Sequence, residues 1–177
     1  MNWMKKVAVA LVCLLPLGLQ AAKIDTLQVK SPSMNKSIEV VVVSPDVAAT
    51  KACPVIYLLH GYGGNACTWV GIKPDLPKIA DEKGIFFVCP DGKNTWYWDS
   101  PLNADVRYET FISNELVKYV DSHYKTVADR KGRAITGLSM GGHGAMWNGL
   151  RHSDVFSAAG STSGGVDIRP FPKNWEM

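Results

Sequence analysis

The sequence predicts an α/β fold in which helices cover both faces of a mainly parallel sheet. Short apolar runs such as Val55–Leu59 are typical of central strands that are buried on both faces. Other segments, such as Tyr108–Tyr124, carry apolar residues every three or four positions, which is the spacing of an amphipathic helix. The two kinds of segment alternate along the chain, and this alternation favours a parallel sheet covered by helices. Because no linker divides residues 23–177, we expect them to belong to one domain.

Residues 1–22 are predicted to be a secretory signal peptide and not part of the fold. Lys5 and Lys6 precede the apolar run Val7–Leu19, and Gln20-Ala21-Ala22 supplies small residues for cleavage. The apolar run has 13 residues, fewer than the roughly 20 needed to cross a bilayer. We therefore expect a periplasmic or extracellular protein without stable membrane insertion.

Nine elements are predicted along the rest of the chain. The first half contains strands at Ile24–Lys30, Ile38–Ser44, Val55–Leu59 and Ile85–Val88, with a helix at Pro74–Lys83. The second half contains a helix at Tyr108–Tyr124, a strand at Arg133–Leu138, a helix at Met140–Arg151 and a strand at Val155–Ser161. Turn residues at 31–35 are expected to join the first two strands in a hairpin. Gly84 is expected to end the first helix.

A glycine-flanked serine lies where the strand Arg133–Leu138 meets the next helix. Ser139 occupies the centre of the motif Gly137–Gly141, which has the pattern G-x-S-x-G of a nucleophile turn. Such a serine adopts a strained backbone conformation, so its glycine neighbours are expected to have no room for side chains. The helix start then directs free N–H groups toward the oxygen that becomes negative during attack. Ser139 is therefore predicted to be a nucleophile and Met140 an oxyanion donor.

A second glycine-rich loop, His60–Asn65, directly follows the buried strand Val55–Leu59. A loop in this position supplies the other backbone donor of an oxyanion hole. We assign that donor to the N–H of Tyr62. The alternative is a plain connection between strand and helix. The presence of Ser139 further along the chain favours the oxyanion role for this loop.

With both motifs in place, the chain resembles the esterase D branch of the α/β-hydrolase fold. This branch includes tributyrin, feruloyl and acetyl-xylan esterases, S-formylglutathione hydrolases and, more distantly, mycolyltransferases. The matching motifs are His60–Gly64, Pro90-Asp91-Gly92, Trp96–Pro101, Tyr108-Glu109-Thr110, Glu115-Leu116 and Gly137–Ala145. The resemblance implies that Ser139 is the nucleophile, that Tyr62 and Met140 form the oxyanion hole, and that Trp96–Ser100 lies near the substrate mouth.

The resemblance also implies further strand–helix units after the nucleophile, whose loops would bring an Asp and then a His. We expect these C-terminal units to be missing from this sequence, so that a sheet edge is uncovered and activity is weak or absent. His143 and His152 follow Ser139, but His143 is interpreted as a packing and hydrogen-bonding residue and His152 as structural. His60 is expected to hold the glycine-rich loop, and His123 ends a helix far along the chain. Asp154 and Asp167 follow Ser139 as well, and neither has a His to orient.

Composition excludes several other classes of function. The chain carries 19 basic and 16 acidic residues, and the basic residues form no patch interleaved with aromatics of the kind that binds nucleic acid. The spacings of Cys53, Cys67 and Cys89 match no zinc or haem pattern, so no metal or cofactor is expected. In an oxidising compartment these thiols could form one disulfide at most, and the sequence leaves the pair open.

Three functions remain open, and the expected partner of the leading one is a small-molecule or polysaccharide-linked ester. The first is a secreted serine esterase for short-chain acyl, acetyl or feruloyl esters. The second is an acyltransferase of the same fold, in which a sugar hydroxyl replaces water. The third is a non-catalytic carbohydrate-associated module, for which the cluster Trp96-Tyr97-Trp98 provides the best support. Oligomeric state is not predicted.

Overall fold

The structure is a computed structural model that describes residues 22–167 and residue 169. All of the predicted signal peptide except Ala22 lies outside the described residues. Within the described part of the chain, no helix is long and apolar enough to cross a membrane.

The described strands form one mixed sheet. They are β1 (Lys23–Ser31), β2 (Lys36–Ser44), β3 (Val55–Leu59), β4 (Phe86–Pro90), β5 (Arg133–Leu138) and β6 (Ala158–Thr162). Their order across the sheet is β1-β2-β4-β3-β5-β6. β2 is antiparallel to both β1 and β4, whereas all other neighbours are parallel. The predicted hairpin and the mainly parallel sheet are therefore confirmed.

The helices lie between these strands. They are α1 (Thr68–Ile72), α2 (Leu76–Lys83), α3 (Tyr108–Thr110), α4 (Val117–His123) and α5 (Met140–Arg151), and the π-helical stretch Phe111–Leu116 joins α3 to α4. Gly84 ends α2 in the left-handed conformation, with φ of 63°, as its position predicts. The short helix α1 was not predicted.

The last strand begins later than predicted. The expected strand at 155–161 starts instead at Ala158, because the N–H groups of Val155 and Phe156 both donate to the His152 carbonyl at the end of α5. Phe156 is then buried, and its ring packs edge-on against Tyr57 with centroids 5.7 Å apart. The apolar character of Phe156 thus reflects packing in the core after the end of α5, not membership of a strand.

The sheet separates two apolar cores, one on each face. The α5-side core contains Val55, Tyr57 and Leu59 of β3 together with buried residues of α3, α4 and α5. The α2-side core contains Leu58 of β3, with Phe87 and Cys89 of β4 packed against α2. Side chains alternate along each strand, so successive residues enter opposite cores. The predicted helical cover on both faces is confirmed.

β6 is the last strand of the sheet among the described residues. Its outer edge pairs with no described strand, and its residues are exposed or half-buried along their length. Two exposed apolar side chains, Leu150 (71% exposed) and Val166 (66%), lie on the same side as α5 and line a cavity of about 140 Å³.

Candidate active site

Ser139 occupies a sharp turn between β5 and α5. Its φ of 53° and ψ of −116° lie in a region that residues other than glycine rarely adopt. The Ser139 N–H donates to the Thr162 carbonyl at 2.8 Å, which ties the turn to the end of β6. The residue is exposed to solvent. The turn therefore presents the hydroxyl at the carboxyl edge of the parallel strands.

The glycines on either side of Ser139 have no room for side chains. A Cβ at Gly137 would lie 2.3 Å from the Gly141 carbonyl group, and one at Gly141 would lie 2.1 Å from the Leu59 oxygen. Both contacts are with backbone, which cannot rotate away as a side chain can. The expected lack of space at these two positions is confirmed.

The loop His60–Asn65 lies directly against the serine turn. β3 and β5 are parallel neighbours with Leu59 opposite Gly137, so both loops leave the sheet at the same edge. A Cβ at Gly61 would lie 3.5 Å from the Ser139 Cβ. Tyr62 follows with a side chain that is 51% exposed.

Met140 begins α5, a helix of 12 residues. The first N–H groups of a helix have no acceptor within the helix, and its dipole places partial positive charge there. The Met140 side chain is fully buried in the α5-side core, which anchors the start of the helix. This arrangement suits a backbone donor beside Ser139.

His60 holds the glycine-rich loop through both of its ring nitrogens. The Gly92 N–H donates to Nε2 at 2.9 Å, so Nδ1 carries the proton and donates to the Gly61 carbonyl at 2.7 Å. Burial lowers the pKa of His60 below its ordinary value, which favours the neutral ring. Its role is structural support for the loop, as predicted.

Tyr97 connects the loop to α5, a role that the sequence did not predict for this member of the aromatic cluster. Its hydroxyl donates to the His60 carbonyl at 3.1 Å. A Cβ at Gly92 would lie 2.1 Å from the Tyr97 ring and one at Gly144 would lie 2.5 Å from it. The ring therefore fills the space that two glycines leave, in a residue with φ of 61°.

Asn94 makes another contact with this loop that the sequence did not predict. Its Oδ1 accepts the Gly63 N–H at 2.8 Å, next to Tyr62. Gly63 has φ of 75°, a conformation that favours glycine. Tertiary contacts of this kind have no local sequence pattern that could reveal them.

His143 is engaged by two other parts of the chain. Its Nε2 accepts the indole N–H of Trp98 at 2.7 Å, and Nδ1 donates to the Gly165 carbonyl at 2.6 Å. Burial lowers the pKa of His143, so the ring is neutral. With both nitrogens occupied, His143 is a packing residue, as the sequence indicated.

The remaining histidines lie away from the serine turn. His152 stands at the far end of α5, about 20 Å from Ser139 at 1.5 Å per residue, and its Nε2 lies 2.8 Å from a Glu109 oxygen. His123 Nδ1 lies 2.8 Å from the Tyr119 carbonyl oxygen at the end of α4. No hydrogen bond joins an imidazole to the Ser139 hydroxyl among the described residues.

The two aspartates after Ser139 also lack a histidine partner in the described structure. The Asp167 carboxylate pairs with Arg169 at 2.8 Å, and this arginine lowers the pKa of Asp167 to about 2. Asp154 is exposed in the turn after α5. Neither residue is positioned as the third member of a triad here.

A cavity of about 470 Å³ is lined by residues between Asn94 and Val106. Its walls include Asn94, which binds Gly63, and Trp98, which binds His143. Trp96 is only 8% exposed, and Tyr97 is fully buried. The aromatic cluster thus forms a pocket wall and core packing. The described residues contain no cluster of three or more metal-ligating side chains.

A serine on a strained strand–helix turn, beside a glycine-rich loop on a mainly parallel sheet, defines the α/β-hydrolase fold. The family model "Putative esterase" matches residues 31–176. The chain belongs to this esterase family.

Individual relatives agree with this assignment. Esterase MT1326 of Mycobacterium tuberculosis is 28% identical over 80% of this chain and 32% of its own length. The diacylglycerol acyltransferase/mycolyltransferase Ag85A of Mycobacterium leprae is 31% identical over 81% of this chain and 44% of its length. A solved ferulic acid esterase is 31% identical with a TM-score of 0.67, covering 78% of this chain and 61% of that one. The chain thus spans about a third of the esterase MT1326 and less than half of Ag85A.

Proposed function

We propose that this polypeptide is the nucleophile-bearing part of a secreted serine esterase for short-chain acyl, acetyl or feruloyl esters. The observation that carries the proposal is the exposed Ser139 on its strained turn, in contact with the loop His60–Asn65. The esterase family supports ester hydrolysis as the reaction. The similar ferulic acid esterase supports aromatic acyl groups as one substrate class.

In the proposed reaction the Ser139 oxygen attacks the carbonyl carbon of the ester. The carbonyl oxygen gains negative charge and accepts hydrogen bonds from the N–H groups of Tyr62 and Met140. Loss of one such donor typically costs on the order of 10²–10³ in rate. The alcohol then leaves with a proton, an acyl-serine forms, and water releases the acid.

The attack requires a base that takes the hydroxyl proton. All four histidines of the sequence belong to the described residues, and none is bonded to Ser139. The proposal therefore assigns the His and its orienting Asp to polypeptide outside these 177 residues. Residues 1–22 are proposed to direct export to the periplasm or beyond.

The test is hydrolysis of p-nitrophenyl acetate and butyrate by a chain that carries its natural C-terminal continuation. Ser139→Ala should abolish turnover and labelling by a fluorophosphonate. Ser153→Ala, an exposed serine beyond the other end of α5, should preserve both. Turnover that survives Ser139→Ala would contradict the proposal.

An acyltransferase is the second candidate, favoured by the similarity to the mycolyltransferase Ag85A. It would use the same acyl-Ser139 intermediate, with a sugar hydroxyl in place of water. Product analysis with an oligosaccharide acceptor separates the two, because a transferase forms the sugar ester at the expense of free acid. Burial of Trp96 and Tyr97 weakens the support that the aromatic cluster gives to a non-catalytic carbohydrate module.

A further inference from the structure

The three cysteines of the described residues lie in different environments. Cys53, Cys67 and Cys89 are all free thiols. Cys53 packs in the α5-side core, whereas Cys89 packs in the α2-side core on the opposite face. Cys67 is exposed and immediately precedes α1.

Strand register also separates Cys53 from Cys89. β3 and β4 are parallel with Val55 opposite Phe86, so Cys53 lies level with residue 84, five positions before Cys89. At about 3.3 Å per residue this offset is roughly 16 Å along the strands. A disulfide needs Cα atoms within about 7 Å, which excludes this pair. Cys53 and Cys67 are excluded likewise, since they lie beyond opposite ends of β3.

Cys67 follows β3 and Cys89 lies near the end of β4, so both are at the carboxyl edge of the parallel strands. Ala66, the neighbour of Cys67, is fully buried in the α2-side core that also contains Cys89. Cys67 lines one cavity with Asp91, which follows Cys89 by two residues. Burial, and then the nearby Cys67 charge, raise the pKa of the Cys89 thiol. The segment that carries Cys67 therefore packs against the end of the strand that carries Cys89.

We infer that Cys67 and Cys89 form a disulfide when the protein meets a disulfide-class oxidant such as oxidised glutathione. The exposed Cys67 thiolate attacks a sulfur of the oxidant, forms a mixed disulfide and releases one reduced thiol. Cys89 then loses its proton and attacks the Cys67 sulfur, which expels the second reduced thiol. Two electrons pass from the cysteines to the oxidant.

This bond would join the two segments that support the glycine-rich loop. Cys67 closes the segment that begins at His60, and Cys89 precedes Gly92, whose N–H holds the His60 ring. A crosslink here would restrict the separation of these two segments. The inference depends only on thiol positions, so it stands or fails independently of esterase activity.

The experiment oxidises the full chain, in a Cys13→Ser background, with oxidised glutathione and then alkylates the remaining thiols. Mass spectrometry should find Cys53 alkylated and Cys67 joined to Cys89 within one molecule. The oxidised protein should unfold at a temperature higher by roughly 5 °C or more than the reduced one.

Cys67→Ser is the decisive variant, because this exposed residue can be replaced without disturbing the core. It should leave Cys89 reduced and remove the shift in unfolding temperature. Cys53→Ser, the matched control, should still form the bond. Consumption of Cys53, dimers linked through Cys67, or unchanged thiols after oxidation would each overturn the inference.

Discussion

Ser139 lies between two glycines whose replacement would drive a side chain into backbone atoms. Gly137 packs against Gly141, and Gly141 packs against the Leu59 carbonyl. Space at these positions is therefore limited by the approach of β3 to the serine turn. The strain at Ser139 is maintained by contacts on both of its sides.

Gly141→Ala should destabilise the fold by about 1–3 kcal/mol, because the added methyl overlaps backbone that cannot move aside. Gly71→Ala is the matched control: a Cβ there meets nothing within 4 Å, and Gly71 lies inside helix α1. It should raise stability by up to about 1 kcal/mol. Urea unfolding of both variants measures the difference, and equal effects would contradict the packing described.

Protonation of His143 should weaken the fold at acid pH. Burial lowers the pKa of His143 in the folded chain below its ordinary value of 6.5. Between the lower pKa of the folded chain and 6.5, the unfolded chain therefore binds more protons than the folded chain. The contribution of His143 to stability is complete above about pH 6.5 and falls as the pH decreases below it. In the charged ring Nε2 also carries a proton, so it can no longer accept the hydrogen bond that the Trp98 N–H donates to it.

The measurement is the free energy of unfolding in urea at pH 7.5 and pH 5. His143→Gln should lose less stability between these values than the parent chain does. Some pH dependence should remain, because burial lowers the pKa of His60 too. His123→Gln, an exposed control at the end of α4, should behave as the parent. An unchanged pH dependence in His143→Gln would refute the assignment.

Among the elements, α5 is held to α3 by one carboxylate. Glu109, 8% exposed, accepts hydrogen bonds from Trp147 Nε1 at 2.7 Å and from Arg151 Nε at 2.8 Å, and lies 2.8 Å from His152 Nε2. These contacts span the C-terminal half of α5. They fix the helix whose other end begins at the serine turn.

Glu109→Gln should lower the free energy of unfolding by about 1–3 kcal/mol. The amide carries no charge to strengthen these hydrogen bonds, and its NH₂ group would face donors that a carboxylate oxygen accepts. Glu82→Gln is the control. Its exposed pair with Lys78, at 3.7 Å, should contribute less than about 0.5 kcal/mol. Thermal unfolding of the two variants checks this, and a comparable loss in both would contradict a special role for Glu109.

The elements that the sequence predicted well are those with strong local patterns. β3 was predicted with its observed bounds, and Gly84 was placed as the end of α2. α1 was missed because its five residues are too short to show a helical repeat. The serine turn and its glycine loop were predictable because both depend on glycine spacing. Tyr97 and Asn94 were not, since their contacts bridge residues distant in the chain.

For the whole molecule, the 177-residue chain alone should hydrolyse esters about 10³-fold or more slowly than an intact family member. Its histidines hold loops and helices and are bonded away from Ser139. Residual rate would come from the proposed oxyanion donors and from substrate binding alone.

The kcat/KM for p-nitrophenyl acetate, compared between the 177-residue chain and its C-terminally extended form, measures this loss. Turnover near the normal value would show that a histidine within the chain acts as base. His143→Gln and His152→Gln would then identify which one.

The Tyr97 ring fills space left by Gly92 and Gly144 while its hydroxyl holds the His60 carbonyl. A larger residue at either glycine is tolerable only if position 97 becomes smaller, and a smaller residue at 97 leaves a void that invites such a change. The three positions are therefore constrained to evolve together. Across related sequences they should covary as a triplet, although they are far apart in the chain.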